Sequence, residues 1–140
     1  MSKVKVAVIG VGYLGEFHAQ KYKAIKSVDF VGIVDTDKKR CREVSEKYGV
    51  KPYNNYEDII NEVDAVSIVV PTNLHYKVAK YFLEFGKHIL VEKPFVTNVT
   101  EGLKLEKLAQ KRKKIIQVGH IERFNKAFIK LQDTINKPVF

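Results

Sequence analysis

A chain of 140 residues is the size of one domain, long enough to remove roughly two-thirds of its unfolded surface from water. With 45% hydrophobic and 29% charged residues it has a globular composition, and no apolar run approaches the ~20 residues of a membrane span, so no membrane partner is expected. The net charge of +9 is mostly scattered lysine. Its densest run, Lys111-Arg112-Lys113-Lys114, falls where a helix should end, and no recognition motif accompanies it, so no nucleic acid is expected either.

Met1-Ser2-Lys3 leads straight into an apolar strand pattern without a leader-like apolar region. The single cysteine, Cys41, has no partner for an internal disulfide, and a cytoplasmic location is the simplest expectation. Lys39, Arg40 and Arg42 beside Cys41 could lower its pKa, but an inert helix residue is expected.

The elements then follow in order. Residues 4–9 form an apolar strand stopped by Gly10. Residues 14–25 read as a helix with Leu14, His18, Tyr22 and Ile25 on its inner face. A second strand over 30–34 ends at Asp35, and a charged helix over 37–48 is closed by Gly49. Residues 50–53 make a short strand whose Pro52 assigns it to an edge, and 56–63 a short helix. The nearly all-apolar 65–70 reads as a strand covered on both faces. A helix from Asn73 carries His75, Val78, Ala79 and Phe82 inward and ends at Gly86.

The next strand, 88–91, runs into Glu92-Lys93-Pro94. Asn98 and Glu101 form an N-cap pair opening a helix to about residue 113. A sixth strand over 115–118 ends at Gly119-His120. A last helix over 122–135 aligns Phe124, Phe128, Leu131 and Ile135, with Phe124 expected against the core, before an apolar strand starts at Val139. Strands alternating with amphipathic helices predict an α/β Rossmann fold: a doubly wound parallel sheet of six strands, order 3-2-1-4-5-6. Ligands then sit at the carboxyl ends of the strands, so the residues just after each strand matter most.

After the first strand comes Gly10-Val11-Gly12-Tyr13-Leu14-Gly15. Gly10 permits the tight turn, Gly12 lets a pyrophosphate approach the backbone, and Gly15 lets the helix pack on the strand. The helix start offers free N–H groups to the phosphates. Asp35, 20 residues beyond Gly15, stands where a carboxylate accepts from the adenosine ribose hydroxyls. The pattern predicts a nicotinamide dinucleotide. Asp35 favours NAD over NADP by repelling a 2′-phosphate, although Lys38, Lys39 and Arg40 could bind one; Arg40 could equally lie on the adenine.

Pro71, Thr72, Asn73 and His75 follow the fourth strand at a helix start beside the same groove. Thr72 or Asn73 could cap that helix, contact the cofactor, or both, and His75 could be a bonded core histidine. Lys93 ends a central strand, where it would stand near the nicotinamide; partial burial would suit it to proton transfer. Its alternative is a surface lysine paired with Glu92. His18, with nothing around it suggesting chemistry, reads as structural.

These elements resemble, in order and spacing, the Gfo/Idh/MocA oxidoreductases: the glycine loop, Asp35, Pro71-Thr72-x-x-His75 and Glu92-Lys93-Pro94. The resemblance implies a Rossmann domain followed by an α+β domain, NAD or NADP as cofactor, and substrates that are mostly sugars, polyols or nucleotide sugars. It implies that Lys93 is the lysine beside the reacting carbon and that a cis peptide precedes Pro94. It implies that Thr72, Asn73, His75 and Glu92 line the nicotinamide and its ribose. Gly119-His120-Ile121-Glu122-Arg123-Phe124-Asn125 is similar to the branch that oxidises nucleotide sugars at C3, with Lys126 where that branch has proline. His120 and Arg123 are then candidate substrate contacts; Arg123 could instead pair with Glu122.

The expectation is therefore an NAD-dependent sugar or nucleotide-sugar dehydrogenase. Residues 1–121 would be its cofactor domain, and 122–140 a linking helix and the start of a second domain. Cofactor contacts are expected from Gly10, Gly12, Tyr13, Leu14, Gly15, Asp35, Arg40, Pro71, Thr72, Asn73, His75, Glu92 and Lys93, with no metal. The full-length protein would be a homo-oligomer through the second domain, and the chain alone would turn over little or nothing. The alternative is a non-catalytic module that senses NAD, although no output motif such as a helix-turn-helix is visible.

Overall fold

The computed structural model describes residues 2–136. Six parallel strands, β1 (Val4–Ile9), β2 (Val28–Val34), β3 (Lys51–Tyr53), β4 (Ala65–Ile68), β5 (His88–Val91) and β6 (Ile116–Val118), form one sheet in the order β3-β2-β1-β4-β5-β6. Helices α1 (Tyr13–Ala24), α2 (Lys38–Tyr48), α3 (Thr72–Glu84) and α4 (Val99–Arg112) connect them, and α5 (Lys126–Asn136) follows. The strand order reverses between β1 and β4, which opens a crevice at their carboxyl ends.

The two-residue side-chain period of β1 divides the core between the faces. Ala7 and Ile9 enter the cluster that α3 and α4 cover, with Phe82, Leu83 and Leu105. Val8 enters the cluster that α1 and α2 cover, with Val11, Ala19, Ile33, Cys41 and Val44. Burying both faces is what makes the central strands apolar throughout.

Four local readings change. α1 buries Gly15 and Ala19 rather than a stripe from Leu14 to Ile25, both of which are exposed. Small residues let this helix lie close to the strands, so Leu14 and Ile25 fall outside the contact while Tyr22 packs at its edge and reaches Ser67. After β3 there is a single 3-10 turn, Tyr56–Ile59, instead of a helix to 63. The expected helix over 122–135 is broken at Asn125, whose backbone is extended between a 3-10 turn, Ile121–Phe124, and α5. Asn125 Oδ1 accepts from the Ala127 N–H at 3.0 Å, so this asparagine ends one turn and caps the next. Phe124 is 77% exposed and does not pack on the core, because the 3-10 turn swings it outward. Phe128, Leu131 and Ile135 are exposed as well. The strand expected from Val139 lies outside the described residues.

Asn98 caps α4, its Oδ1 accepting from the Glu101 N–H at 3.0 Å, while the Glu101 carboxylate accepts from Thr97 Oγ1 at 3.1 Å rather than from the Asn98 N–H; Gly49 closes α2 in the left-handed conformation at φ 63°. Lys111 and Arg112 occupy the last turn of α4, as the basic run suggested. Among the described residues no helix is long and apolar enough to cross a membrane.

Candidate functional site

The crevice at the strand ends is a groove of about 700 Å³. The glycine loop builds its floor. Gly10, at φ 88°, makes the turn that only glycine adopts freely, and a Cβ there would lie 2.6 Å from the Val69 carbonyl oxygen. A Cβ on Gly15 would lie 1.9 Å from the Gly10 carbonyl oxygen, so Gly15 is the contact that seats α1 on the loop. Gly12 differs: a Cβ there meets no atom within 4 Å, because it would project into the groove.

Gly12 is also the N-cap of α1 and offers no side-chain cap, whereas Asp37 at the start of α2 accepts from the Lys39 and Arg40 N–H groups at 3.0 Å. The first N–H groups of α1 are thus left for an anion to satisfy. Open space before Gly12, an uncapped helix start and a carboxylate at the end of β2 fit a dinucleotide.

Asp35 reaches the groove from β2. Its Oδ2 accepts from the Val11 N–H at 2.8 Å and its Oδ1 from the Asp37 N–H at 2.9 Å. Each oxygen keeps a further lone pair able to accept a hydrogen bond. Thr36, Asn54, Asn55 and Tyr56 also line the groove. None of the four was expected, although Thr36 follows β2 and the other three follow β3, where the strand-end rule would have found them. Arg40, a candidate contact to a 2′-phosphate or to the adenine, is outside the groove lining: its Nε donates to the Val11 carbonyl at 3.0 Å, and its guanidinium pairs with Glu16. Lys47, followed by Arg40, holds the Glu16 carboxyl below its ordinary pKa by hydrogen bonding to the charged form.

Tyr13, Leu14, Pro71, Thr72, His75, Glu92 and Lys93 line the remainder. Thr72 and Asn73 do not cap α3, whose N-cap is Pro71 with no side-chain cap. Asn73 is exposed and outside the groove lining. His75 is buried, as a core histidine should be, with Nδ1 2.9 Å from the Pro94 carbonyl and Nε2 2.9 Å from the Val70 carbonyl. It thereby ties the turn after β5 to the end of β4. The Lys93–Pro94 peptide is cis, as the resemblance implied. Lys93 is exposed rather than partly buried, so these residues do not supply the desolvation expected for it.

His18, expected to be structural, has a partner that its sequence neighbours do not announce. Its Nε2 lies 3.1 Å from Glu92 Oε1, so it touches the Glu92-Lys93-Pro94 element. Nothing in the local sequence signals this, because the two residues are 74 positions apart. Neither His120 nor Arg123 is in the groove lining; both are exposed. Glu122 bonds Asn125 at 2.9 Å, not Arg123. Cys41 is fully buried, donates to the Tyr53 carbonyl and has its thiol pKa pushed up by burial, so the basic neighbours do not activate it.

A groove of about 750 Å³ lies between α4 and the loop before it, lined by Phe95, Val99, Leu103 and Ile116 among others. It is slightly larger, but its lining includes neither the glycine loop nor Asp35, Glu92 or Lys93. Among the described residues no cluster of three or more histidine, cysteine or carboxylate side chains could hold a metal.

Comparison with known proteins agrees with this geometry. The GFO_IDH_MocA sequence model, an oxidoreductase family with an NAD-binding Rossmann fold, matches residues 4–120. The chain is 40% identical over 127 residues to UDP-N-acetylglucosamine 3-dehydrogenase of Acidithiobacillus ferrooxidans, covering 91% of this chain and 40% of that one. It is 32% identical over 143 residues to myo-inositol 2-dehydrogenase of Thermotoga maritima, covering 96% and 43%. A solved structure of the Acidithiobacillus ferrooxidans UDP-N-acetylglucosamine 3-dehydrogenase superposes with a TM-score of 0.89 at 39% identity, over 96% of this chain and 44% of that chain. The chain thus spans about two-fifths of the length of these relatives.

Proposed function

The chain belongs to the Gfo/Idh/MocA oxidoreductase family, and on that premise we propose that it binds NAD as the cofactor half of a dehydrogenase that takes hydride from a nucleotide-sugar hydroxyl. One observation carries this reading: a single groove holds open backbone at Gly12, the Asp35 carboxylate at one end and Lys93 at the other. Those are the requirements for a pyrophosphate, an adenosine ribose and a reacting hydroxyl. The choice of a nucleotide sugar oxidised at C3 is supported by the relative at 40% identity, whose name states that activity.

In this reading the N–H groups at the start of α1 hold the pyrophosphate, and Asp35 accepts from the ribose hydroxyls. NAD is preferred to NADP, because a 2′-phosphate would meet Asp35, and because the nearest arginine, Arg40, is committed to Val11 and Glu16. Bound nicotinamide supplies the hydride acceptor. Thr72, His75 and Glu92 surround its end of the groove. Oxidation of a secondary alcohol releases one hydride and one proton. We assign to Lys93 Nζ the role of taking the proton, once the rest of the protein covers it, or of holding the oxygen while negative charge develops there. We keep Arg123 and His120, which follow β6 outside the groove lining, as candidate contacts for an anionic sugar nucleotide.

Turnover by residues 1–140 alone is not expected. Lys93 is open to water, and the relatives carry more than half of their length beyond the matched region. The test is calorimetric titration of the chain with NAD and NADP, with absorbance of the reduced cofactor followed on adding UDP-N-acetylglucosamine. NAD binding without turnover is the expected result. Absence of NAD binding would overturn the cofactor assignment.

A further inference from the structure

Glu92 is held more closely than a residue at an open strand end needs to be. Its Oε1 lies 3.1 Å from His18 Nε2, and its Oε2 accepts from the Lys93 N–H at 3.1 Å. On a third side Gly119 lies against the carboxylate: a Cβ there would lie 2.6 Å from Oε1 and would push it aside. The His18 and Glu92 side chains are 20% and 12% exposed, so their contact is sheltered from water. A carboxylate in its charged form only accepts, which makes His18 Nε2–H the donor and sets the tautomer.

We propose that His18 is a positioning residue: from the helix behind the glycine loop, its ring holds the Glu92 carboxylate and thereby fixes the Lys93 turn relative to the cofactor's phosphate site. The proposal rests on the cofactor reading above. Its physical basis is the rigidity of α1. Gly12, where the pyrophosphate would sit, and His18 are six residues apart on one helix, roughly 9 Å along its axis. Phosphate binding and the grip on Glu92 are therefore carried by one rigid body. The carboxylate passes the constraint to the Lys93 backbone through its second oxygen. Removing the ring leaves a sheltered carboxylate short of a donor, and such a group turns toward water. The Lys93 amide then loses its acceptor.

The test compares the unaltered chain with His18→Ala, His18→Gln and Tyr22→Phe. Glutamine can donate an amide N–H from a comparable reach. Tyr22→Phe removes the 2.6 Å bond from α1 to Ser67 without touching Glu92, and so reports mere loosening of the helix. Two quantities are read: NAD affinity by calorimetry, and hydrogen exchange at the Lys93 amide in the absence of ligand. His18→Ala should weaken NAD about tenfold and speed Lys93 exchange by a similar factor, as loss of one charge-assisted hydrogen bond allows. His18→Gln should recover most of both, and Tyr22→Phe should change neither. Unaltered NAD affinity and exchange in His18→Ala would overturn the proposal while leaving the cofactor reading intact. So would equal losses in Tyr22→Phe, or no recovery in His18→Gln. Failure of the unaltered chain to bind NAD would overturn both.

Discussion

Asp35 Oδ2 accepts the Val11 N–H at 2.8 Å, so the carboxylate that ends β2 also shapes the glycine loop that follows β1. In the proposed cofactor site one side chain therefore serves two neighbouring parts: it would accept from the ribose, and it holds the loop backbone beside which the pyrophosphate would lie. This coupling separates two substitutions that would otherwise look alike. Asp35→Ser should narrow or reverse the preference for NAD over NADP, because repulsion of the 2′-phosphate is gone. Asp35→Ala should also lower the melting temperature, since it leaves the Val11 N–H without its acceptor, a loss of about 1–2 kcal/mol. Titration with both nucleotides checks the first, and thermal melts check the second. Tighter binding of NADP than NAD by the unaltered chain would reverse the assignment.

Gly12 and Gly15 sit three residues apart and should respond in opposite ways. Gly12→Val places its side chain in open groove and should abolish NAD binding while moving stability by no more than about 0.5 kcal/mol. Gly15→Ala drives a methyl into the Gly10 carbonyl and should destabilise the fold itself by about 1–3 kcal/mol. Melting with and without NAD distinguishes them. A Gly12→Val chain that NAD still stabilises as before would mean that the phosphates lie elsewhere.

Cys41 should be inert in the folded state. Its thiol is buried, and burial raises its pKa, so little thiolate is exposed to reagent near neutral pH. Alkylation by iodoacetamide should be slow in buffer and rapid in denaturant. Fast modification of the native chain would show that the helix α2 face opens readily.

Acid should weaken the contact behind the loop. The Glu16 pKa is depressed in the fold, so its stabilising effect is fully present above the unfolded carboxyl pKa and is lost as pH falls through the lowered folded value. Glu16→Gln should therefore melt closer to the unaltered chain in acid than at neutral pH. Equal differences at both would show that Glu16 stabilises nothing through its charge.

The apolar side chains of α5 should be nearly free to change. Leu131→Ser, at a site 55% exposed, should cost less than about 0.5 kcal/mol. Phe82→Ala, at a site fully buried between α3 and the sheet, should cost about 3–5 kcal/mol. Denaturant unfolding measures both, and a large loss at Leu131 would place α5 against the core.

The amino-acid order by itself determined the sheet, the glycine loop, Asp35 and the Glu92-Lys93-Pro94 turn. Each is written in contiguous residues whose local physics is strong: strand periodicity, backbone freedom at glycine, capping at Asn98 and Gly49. Tertiary structure alone decided which side chains meet across the sheet. The Asp35–Val11 bond, the retreat of Arg40 to Glu16 and the pairing of His18 with Glu92 join residues from 24 to 74 positions apart. Such pairs leave no periodic trace, because they are set by where separate strands end relative to one another. The same limit explains α1 and Phe124. Hydrophobicity marks a residue as able to be buried, but the burial of Gly15 and Ala19 instead of Leu14 follows from how closely the helix approaches the strands. Phe124 turns outward because Asn125 breaks the helix behind it.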